Sequence, residues 1–309
     1  MTNHPRPILV TGAHRSGTGW LGSMIAASPS PPVAYLWEPF SILHRPGICD
    51  ARFETWFPYV CPANGSTYLD PIADMLAFRY KTMAELRSVR SLKDAVRLLR
   101  DRRDFRRYRR RGARPLLKDP IAVFSAEWLC DSFGMDALVL IRHPAAFANS
   151  ITSRRLRHPF GDFLAQPLLM RDLLGSFEDQ IRRFAAEEQP LLDQAILLWR
   201  IIHHVILTYR DRRPEWMFLR LEDIARDPLA RFQEIYARLG QVFDEEVAAV
   251  IDEHSGASNP AESMDPADHH RNSGKSVTTW KAHLSGDEVR RIREEVEPIS
   301  KEFYTDVDW

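Results

Sequence analysis

Cysteine is scarce in this chain: three among 309 residues, at Cys49, Cys61 and Cys130. Their spacing matches no zinc-binding pattern, and an odd count argues against a disulfide framework. A Cys49–Cys61 bridge is the alternative to reduced thiols, which compartment logic favours. Net charge is also missing, since 42 Lys and Arg balance 42 Asp and Glu. The whole chain therefore has no electrostatic bias toward nucleic acid. Long apolar runs are absent too. The greasiest stretch, Ala195 to Tyr209, is broken by Arg200, His203 and His204 and reads as a core helix, not a membrane span. No apolar leader precedes Ile8, so a soluble, cytoplasmic protein is the expectation.

What is present is a rhythm of short apolar runs followed by helical patterns. Ile8–Thr11 leads into 17–27, Pro115–Lys118 into 121–133, Ala137–Arg142 into 145–155, and Trp216–Leu221 into 229–239. Val33–Leu36 leads instead into a loop at Trp37. Repeated strand–helix units imply an α/β fold with helices on both faces of a mostly parallel sheet of four or five strands. At 309 residues one such domain fills the chain. Ligands on these sheets sit beyond the carboxyl ends of the strands. Gly12–Gly19, Glu38, Lys118 and Arg142 all fall there and are expected to share one cleft.

The loop Gly12-Ala-His-Arg-Ser-Gly-Thr-Gly-Trp20 follows its strand and opens a helix. Amides at a helix start point outward and the dipole favours an anion. The Gly12…Gly17 spacing is P-loop-like. Thr18, however, stands where a kinase carries Lys, and Gly19 where it carries the magnesium-binding hydroxyl. The loop is expected to hold a phosphate-like group without a metal, with Arg15 as its cation.

Three further motifs stand at strand ends: Tyr35-Leu-Trp-Glu38-Pro39, Leu117-Lys118-Asp119-Pro120, and Ile141-Arg142-His143-Pro144 with Ser150 beyond it. In this order they resemble sulfotransferases that use 3′-phosphoadenosine 5′-phosphosulfate (PAPS) and release 3′,5′-ADP (PAP). The resemblance extends to Arg220-Leu-Glu-Asp223 with Asp227-Pro228, and to Arg271…Lys275…Trp280-Lys281. It spans most of the chain apart from a basic insertion. Tyr35–Pro39 is most similar to carbohydrate sulfotransferases, and Arg15, Glu38 and Lys118 together resemble tyrosylprotein sulfotransferases.

The resemblance implies a role for each residue. Residues Arg15, Ser16, Gly17, Thr18, Gly19 and Trp20 would cradle the 5′-phosphosulfate, Arg142 and Ser150 would grip the 3′-phosphate, and Glu38 would be the base. Arg15 and Lys118 would stabilise the transferring group, Trp280 would lie against adenine, and Lys275 or Arg271 would close over the phosphates. Gly19 departs from the family, where a hydroxyl residue is usual. The residue chemistry agrees. A loose in-line transfer needs positioning and charge stabilisation more than covalent chemistry from the protein. On the resemblance of Tyr35–Pro39 a glycan or glycoconjugate hydroxyl is the expected acceptor, ahead of a peptide tyrosine or a small-molecule alcohol, and the expected roles require no metal. His14 and His44 are rival bases. A P-loop kinase and a non-catalytic nucleotide-binding scaffold are the rival functions.

His203-His204 read as structural. Asp268, His269 and His270 invite a metal reading, but three adjacent loop residues cannot readily ligate one ion. Residues 256–279 read as a long cofactor or lid loop. The insertion at about 85–114 is the most polarised stretch. From Arg87 to Arg114 thirteen basic side chains meet three acidic ones. Val89, Leu92, Val96 and Leu99 form a helical stripe there, expected to pack inward beneath a solvated basic face. An anionic-acceptor or lid role and peripheral membrane contact are the alternatives. No aromatic-interleaved face accompanies the charge, so nucleic acid is not expected.

Overall fold

The computed structural model describes residues 6–43, 45–261 and 270–309. Five strands form one sheet: β1 (Ile8–Gly12), β2 (Val33–Trp37), β3 (Arg114–Lys118), β4 (Asp136–Ile141) and β5 (Met217–Arg220). All pairings are parallel, in the order β2-β3-β1-β4-β5. The strands read as continuous apolar runs because both faces are buried. Ile8, Val10, Leu116, Leu138 and Leu140 face one side; Leu9, Leu117, Ala137, Val139 and Ile141 face the other. This is the expected three-layer α/β arrangement.

Helix α1 (Thr18–Ala26) and the helices Pro228–Leu239 and Glu245–Ser255 cover the first face. On the second lie α5 (Ala126–Phe133), α6 (Pro144–Ser153) and the helix Leu191–Arg212. Between β2 and β3 come α2 (Ser66–Leu76), α3 (Thr82–Ser88) and α4 (Leu92–Arg110). Leu191–Arg212 is, among the described residues, the one helix long and apolar enough to cross a membrane. Most of its length is buried in the core: Trp199 Nε1 donates to the Arg142 carbonyl at 2.9 Å, and the Tyr209 hydroxyl donates to the Phe124 carbonyl at 3.0 Å. The three cysteines are buried and free, and Cys49 and Cys61 are not bridged.

Two expectations need correction. The stripe Leu92, Val96 and Leu99 does not pack inward. Helix α4 buries Leu98, Asp101 and Phe105 instead, because Phe105 meets Phe78 and Tyr80 edge-on and Asp101 takes an ion pair from Arg45. The stripe is left on the solvent side. The stretch 256–279 is not all loop: a short helix spans Ser273–Ser276, started by Asn272, whose side chain accepts the Lys275 N–H at 2.9 Å.

Candidate active site

β1 ends on Gly12, where a Cβ would lie 2.2 Å from the Leu140 carbonyl oxygen. Only glycine lets β1 and β4 close at that point. The chain then loops back to Gly17, the residue before α1, at φ +86°. A Cβ on Gly17 would meet Leu221 Cδ1 at 2.7 Å, so the Arg220–Asp223 segment is the floor beneath the loop. No side chain caps the start of α1. Its first amides have no acceptor inside the helix and present partial positive charge. The Ser16 hydroxyl is buried and has no partner among the described residues. An uncapped helix start, a glycine cradle and an orphaned buried hydroxyl fit a phosphate-like anion.

The second half of the site follows from strand register. Trp37 pairs with Lys118 across β2 and β3. Glu38 therefore emerges beside Lys118, and its N–H donates to the Lys118 carbonyl at 2.9 Å. The Glu38 carboxylate is ion-paired with the Lys118 ammonium, and the Trp37 ring lies 5.4 Å from the same Nζ. Glu38 has φ +41° and Arg15 φ +62°. With Phe57 at φ +55°, three non-glycine residues of this cleft lie in the left-handed region, a pattern of sites where backbone strain is retained for function.

Asp119 fixes this turn from below. Its buried carboxylate accepts N–H groups from Phe40 at 2.7 Å, Ile121 at 3.0 Å and Ala122 at 3.2 Å. Burial, and next the Glu38 charge, push its pKa up to about 7. The sequence singled out Lys118 and gave Asp119 only as its neighbour; the bond to Phe40 depends on contact between distant segments.

The third element is the end of β4. The Arg142 guanidinium donates to the Arg15 carbonyl, and Arg15 Nε donates to Ser150 Oγ at 3.2 Å. Arg15, Arg142 and Ser150 thus meet as a cluster, and the Arg15 side chain lies toward Ser150. Behind them Glu222 accepts the His143 N–H at 2.9 Å and the Tyr304 hydroxyl at 3.0 Å. Burial raises the Glu222 pKa. Glu222 anchors the turn from Arg142 into α6, a role the Arg220–Asp223 motif did not disclose in sequence.

Part of this set lines one cleft of about 400 Å³, a size suited to a small-molecule site. Arg15, Gly17, Thr18, Gly19, Trp20, Glu38, Lys118 and Arg142 border it, as does Arg271, whose guanidinium lies 5.3 Å from the Trp20 ring centre. His14 borders it as well. Burial, and next the Arg15 charge, lower its pKa to about 4, so its imidazole is neutral at pH 7. Its Nδ1 is buried with no partner among the described residues.

Four of the expected site residues do not border the cleft: Ser16 and Ser150, both buried beside it, and Trp280 and Lys275. Trp280 does not line the cleft, because its ring is buried and stacked on His143 at 4.9 Å. Lys275 is exposed and also stands outside it. His203 is structural: its ring stacks on Trp199 at 3.9 Å and its Nδ1 is 2.8 Å from the Trp199 carbonyl. His44, Asp268 and His269 lie outside the described residues, whereas His270 stacks on His254 at 4.0 Å.

Comparison with solved structures matches the fold over nearly the full length of the chain. The sulfotransferase domain of the Synechococcus PCC 7002 olefin synthase superposes with a TM-score of 0.51 at 18% identity, covering 98% of this chain and 96% of that one. Mouse sulfotransferase SULT7A1, solved with PAP, gives 0.52 at 12% identity, covering 98% and 87%. The chain has the sulfotransferase fold. No protein-family profile matches it, and no curated protein matches it in sequence. In this sulfotransferase fold the glycine loop, the Glu38–Lys118 pair and the Arg142–Ser150 cluster occupy the carboxyl edge of the sheet. That is where open α/β sheets place their ligands.

Proposed function

We propose that the protein transfers a sulfonate group from PAPS to an acceptor hydroxyl and releases PAP. The observation that carries this reading is the ion pair of Glu38 with Lys118 in the same cleft as the uncapped start of α1, Arg142 and Arg15, whose Nε donates to the buried Ser150 hydroxyl. A carboxylate, an ammonium, an anion-binding loop and a second cationic cluster are the groups that a doubly phosphorylated donor and a hydroxyl acceptor need together. The neighbour solved with PAP has the same fold, which supports the choice of donor.

Each residue then has a task. The amides from Arg15 to Trp20 and the Ser16 hydroxyl receive the 5′-phosphosulfate. Arg142 and Ser150 take the 3′-phosphate by charge-assisted and neutral hydrogen bonds. The acceptor oxygen attacks sulfur, and its proton passes to Glu38. The bond from sulfur to the 5′-phosphate oxygen breaks, and the electron pair leaves on PAP. Lys118 and Arg15 stabilise the negative charge building on that oxygen. Proton removal by a positioned base contributes roughly 10²–10⁴-fold in rate.

Among acceptors, a carbohydrate or glycoconjugate hydroxyl leads, on the resemblance of Tyr35–Pro39. Trp37 and Trp56 on the cleft wall offer flat apolar surface that suits the C–H face of a sugar as well as a phenol ring. Peptide tyrosine and small alcohols follow.

Thermal unfolding in the presence of PAP, PAPS, ADP or ATP, with and without magnesium, tests the donor. A ligand bound to the native state raises the melting temperature. PAP is expected to stabilise without magnesium and more than ADP does. Stabilisation by ATP only with magnesium would assign the cleft to a kinase. PAP binding without sulfonate transfer to any of a panel of sugars, tyrosine peptides and alcohols would make the protein a binding scaffold.

A further inference from the structure

The insertion between β2 and β3 presents a surface that the cleft does not use. Helix α4 carries a stripe at positions 92, 96, 99, 103, 106 and 110, spaced as one helical face. Its first half is apolar and exposed: Leu92 is 87%, Val96 66% and Leu99 63% accessible. Met83 and Leu86 of α3 are exposed as well. The second half is Arg103, Arg106 and Arg110, all exposed.

Charge on this surface is one-sided. Ten Lys and Arg side chains between residues 83 and 111 are exposed, and no acidic one is. Glu85 and Asp101 are buried, holding the Gly47 N–H at 2.8 Å and the Arg45 guanidinium. Asp94 and Asp104 are half-buried and pair with Arg97 and Arg107 at 3.0 and 3.2 Å, contacts worth little at a surface. Glu85 and Asp101 thus tie α3 and α4 to the loop at residues 45–47, and the cations face out.

We propose that this face of α3 and α4 docks on an anionic phospholipid bilayer. A basic helix with an apolar stripe lies in the interfacial plane, its apolar side chains among the acyl chains and its cations on the headgroups. The helix is already formed and anchored, so docking carries no cost of ordering it. A nucleic acid would use the cations but leave Leu92, Val96 and Leu99 in water. The aromatic side chains of α4 do not offer a stacking face, since Phe105 is buried and Tyr108 half-buried.

Vesicle co-sedimentation of the full chain tests this. Vesicles of phosphatidylcholine mixed with phosphatidylglycerol are expected to pellet the protein, and phosphatidylcholine alone is not. Added salt should weaken the binding. The triple variant R103A/R106A/R110A should bind roughly a hundredfold more weakly, at about 1 kcal/mol per basic side chain near an anionic surface. L92S/V96S/L99S should also bind more weakly with charge unchanged, about tenfold or more, because apolar burial contributes too. Both variants alter exposed positions, and PAP binding and melting temperature serve as fold controls. No pelleting with anionic vesicles would overturn the proposal, as would wild-type binding by both variants. Binding of duplex DNA that depends on the arginines but not on Leu92, Val96 and Leu99 would reassign the face to nucleic acid. A solution dimer dissolved by the serine variant would reassign it to a second copy of the chain.

Discussion

The Glu38 carboxylate and the Lys118 ammonium form an ion pair across the carboxyl ends of β2 and β3. The pairing follows from strand register, because the residue before Glu38 lies opposite Lys118 in the ladder. Asp119, next in sequence, holds the turn that follows Glu38. The proposed base and a cation suited to stabilising the leaving group thus belong to one rigid sheet edge. A site built on strands holds its geometry more tightly than one built on loops.

Replacing the base separates chemistry from binding. Glu38→Gln keeps the shape and removes the proton acceptor. Sulfonate transfer is expected to fall by roughly 10²–10⁴-fold, with PAP affinity changed little. Initial rates of PAP release and calorimetric PAP titration read the two effects. A variant with normal turnover and lost PAP affinity would contradict the base assignment.

Arg142→Ala addresses the 3′-phosphate. A hydrogen bond to a charged group contributes about 1.5–3 kcal/mol, so PAP should bind roughly tenfold to a hundredfold more weakly. Adenosine 5′-phosphosulfate, which lacks the 3′-phosphate, should lose far less. Titrating both nucleotides against both proteins decides it, and equal losses would place Arg142 elsewhere in the mechanism.

Much of this was legible in sequence because parallel strands announce themselves. Ile8–Thr11 and Ala137–Arg142 are apolar on both faces, which fixes the layer arrangement before any contact is known. Each strand ends on its functional residue, so Glu38, Lys118 and Arg142 were readable as neighbours in space. Side chains whose partners come from distant segments were harder to read. Trp280 looked like an adenine platform, yet its face is taken by His143. Glu222 looked like part of a motif, yet its partners are an amide at residue 143 and a hydroxyl at residue 304. The Leu92–Val96–Leu99 stripe has core periodicity but faces outward, since the same helix buries Leu98 and Phe105 instead, and Phe105 meets the Phe78 and Tyr80 rings.

Buried neutral histidines give the fold an acid sensitivity. Burial lowers the pKa of His14 to about 4 and those of His143, His158 and His203 to about 3. In the unfolded chain each titrates near 6.5. Their contribution is complete above pH 6.5 and is lost as pH falls toward 4 and then 3, because the unfolded state binds the protons first. Asp119, raised to about 7, acts in the opposite sense between about pH 4 and 7; Glu222, raised by burial, acts in that sense too, and together they offset part of the four. Urea unfolding from pH 7 to 4.5 should show stability falling with acidification. His203→Leu should reduce the slope by about one proton, or about 1.4 kcal/mol per pH unit. An unchanged slope would mean that His203 is not buried as a neutral ring.

Asp119→Asn tests positioning without touching the reacting atoms. The two carboxylate oxygens face N–H groups on opposite sides, from Phe40 and from Ile121 and Ala122. An amide can accept on only one side, and its NH₂ then opposes an N–H donor on the other. Leaving a buried donor unsatisfied costs about 1–3 kcal/mol, so the melting temperature should fall. If Asp119 acts through Glu38, turnover should drop by more than the lost stability explains, while PAP affinity stays near wild type. The loss should come mainly from kcat, because the base is displaced and the donor loop is not. Asp119→Ala should be worse on both counts, since it leaves all three amides without an acceptor. Lower stability with unchanged turnover by the folded fraction would make Asp119 a structural cap for the helix that follows, with no hold on Glu38.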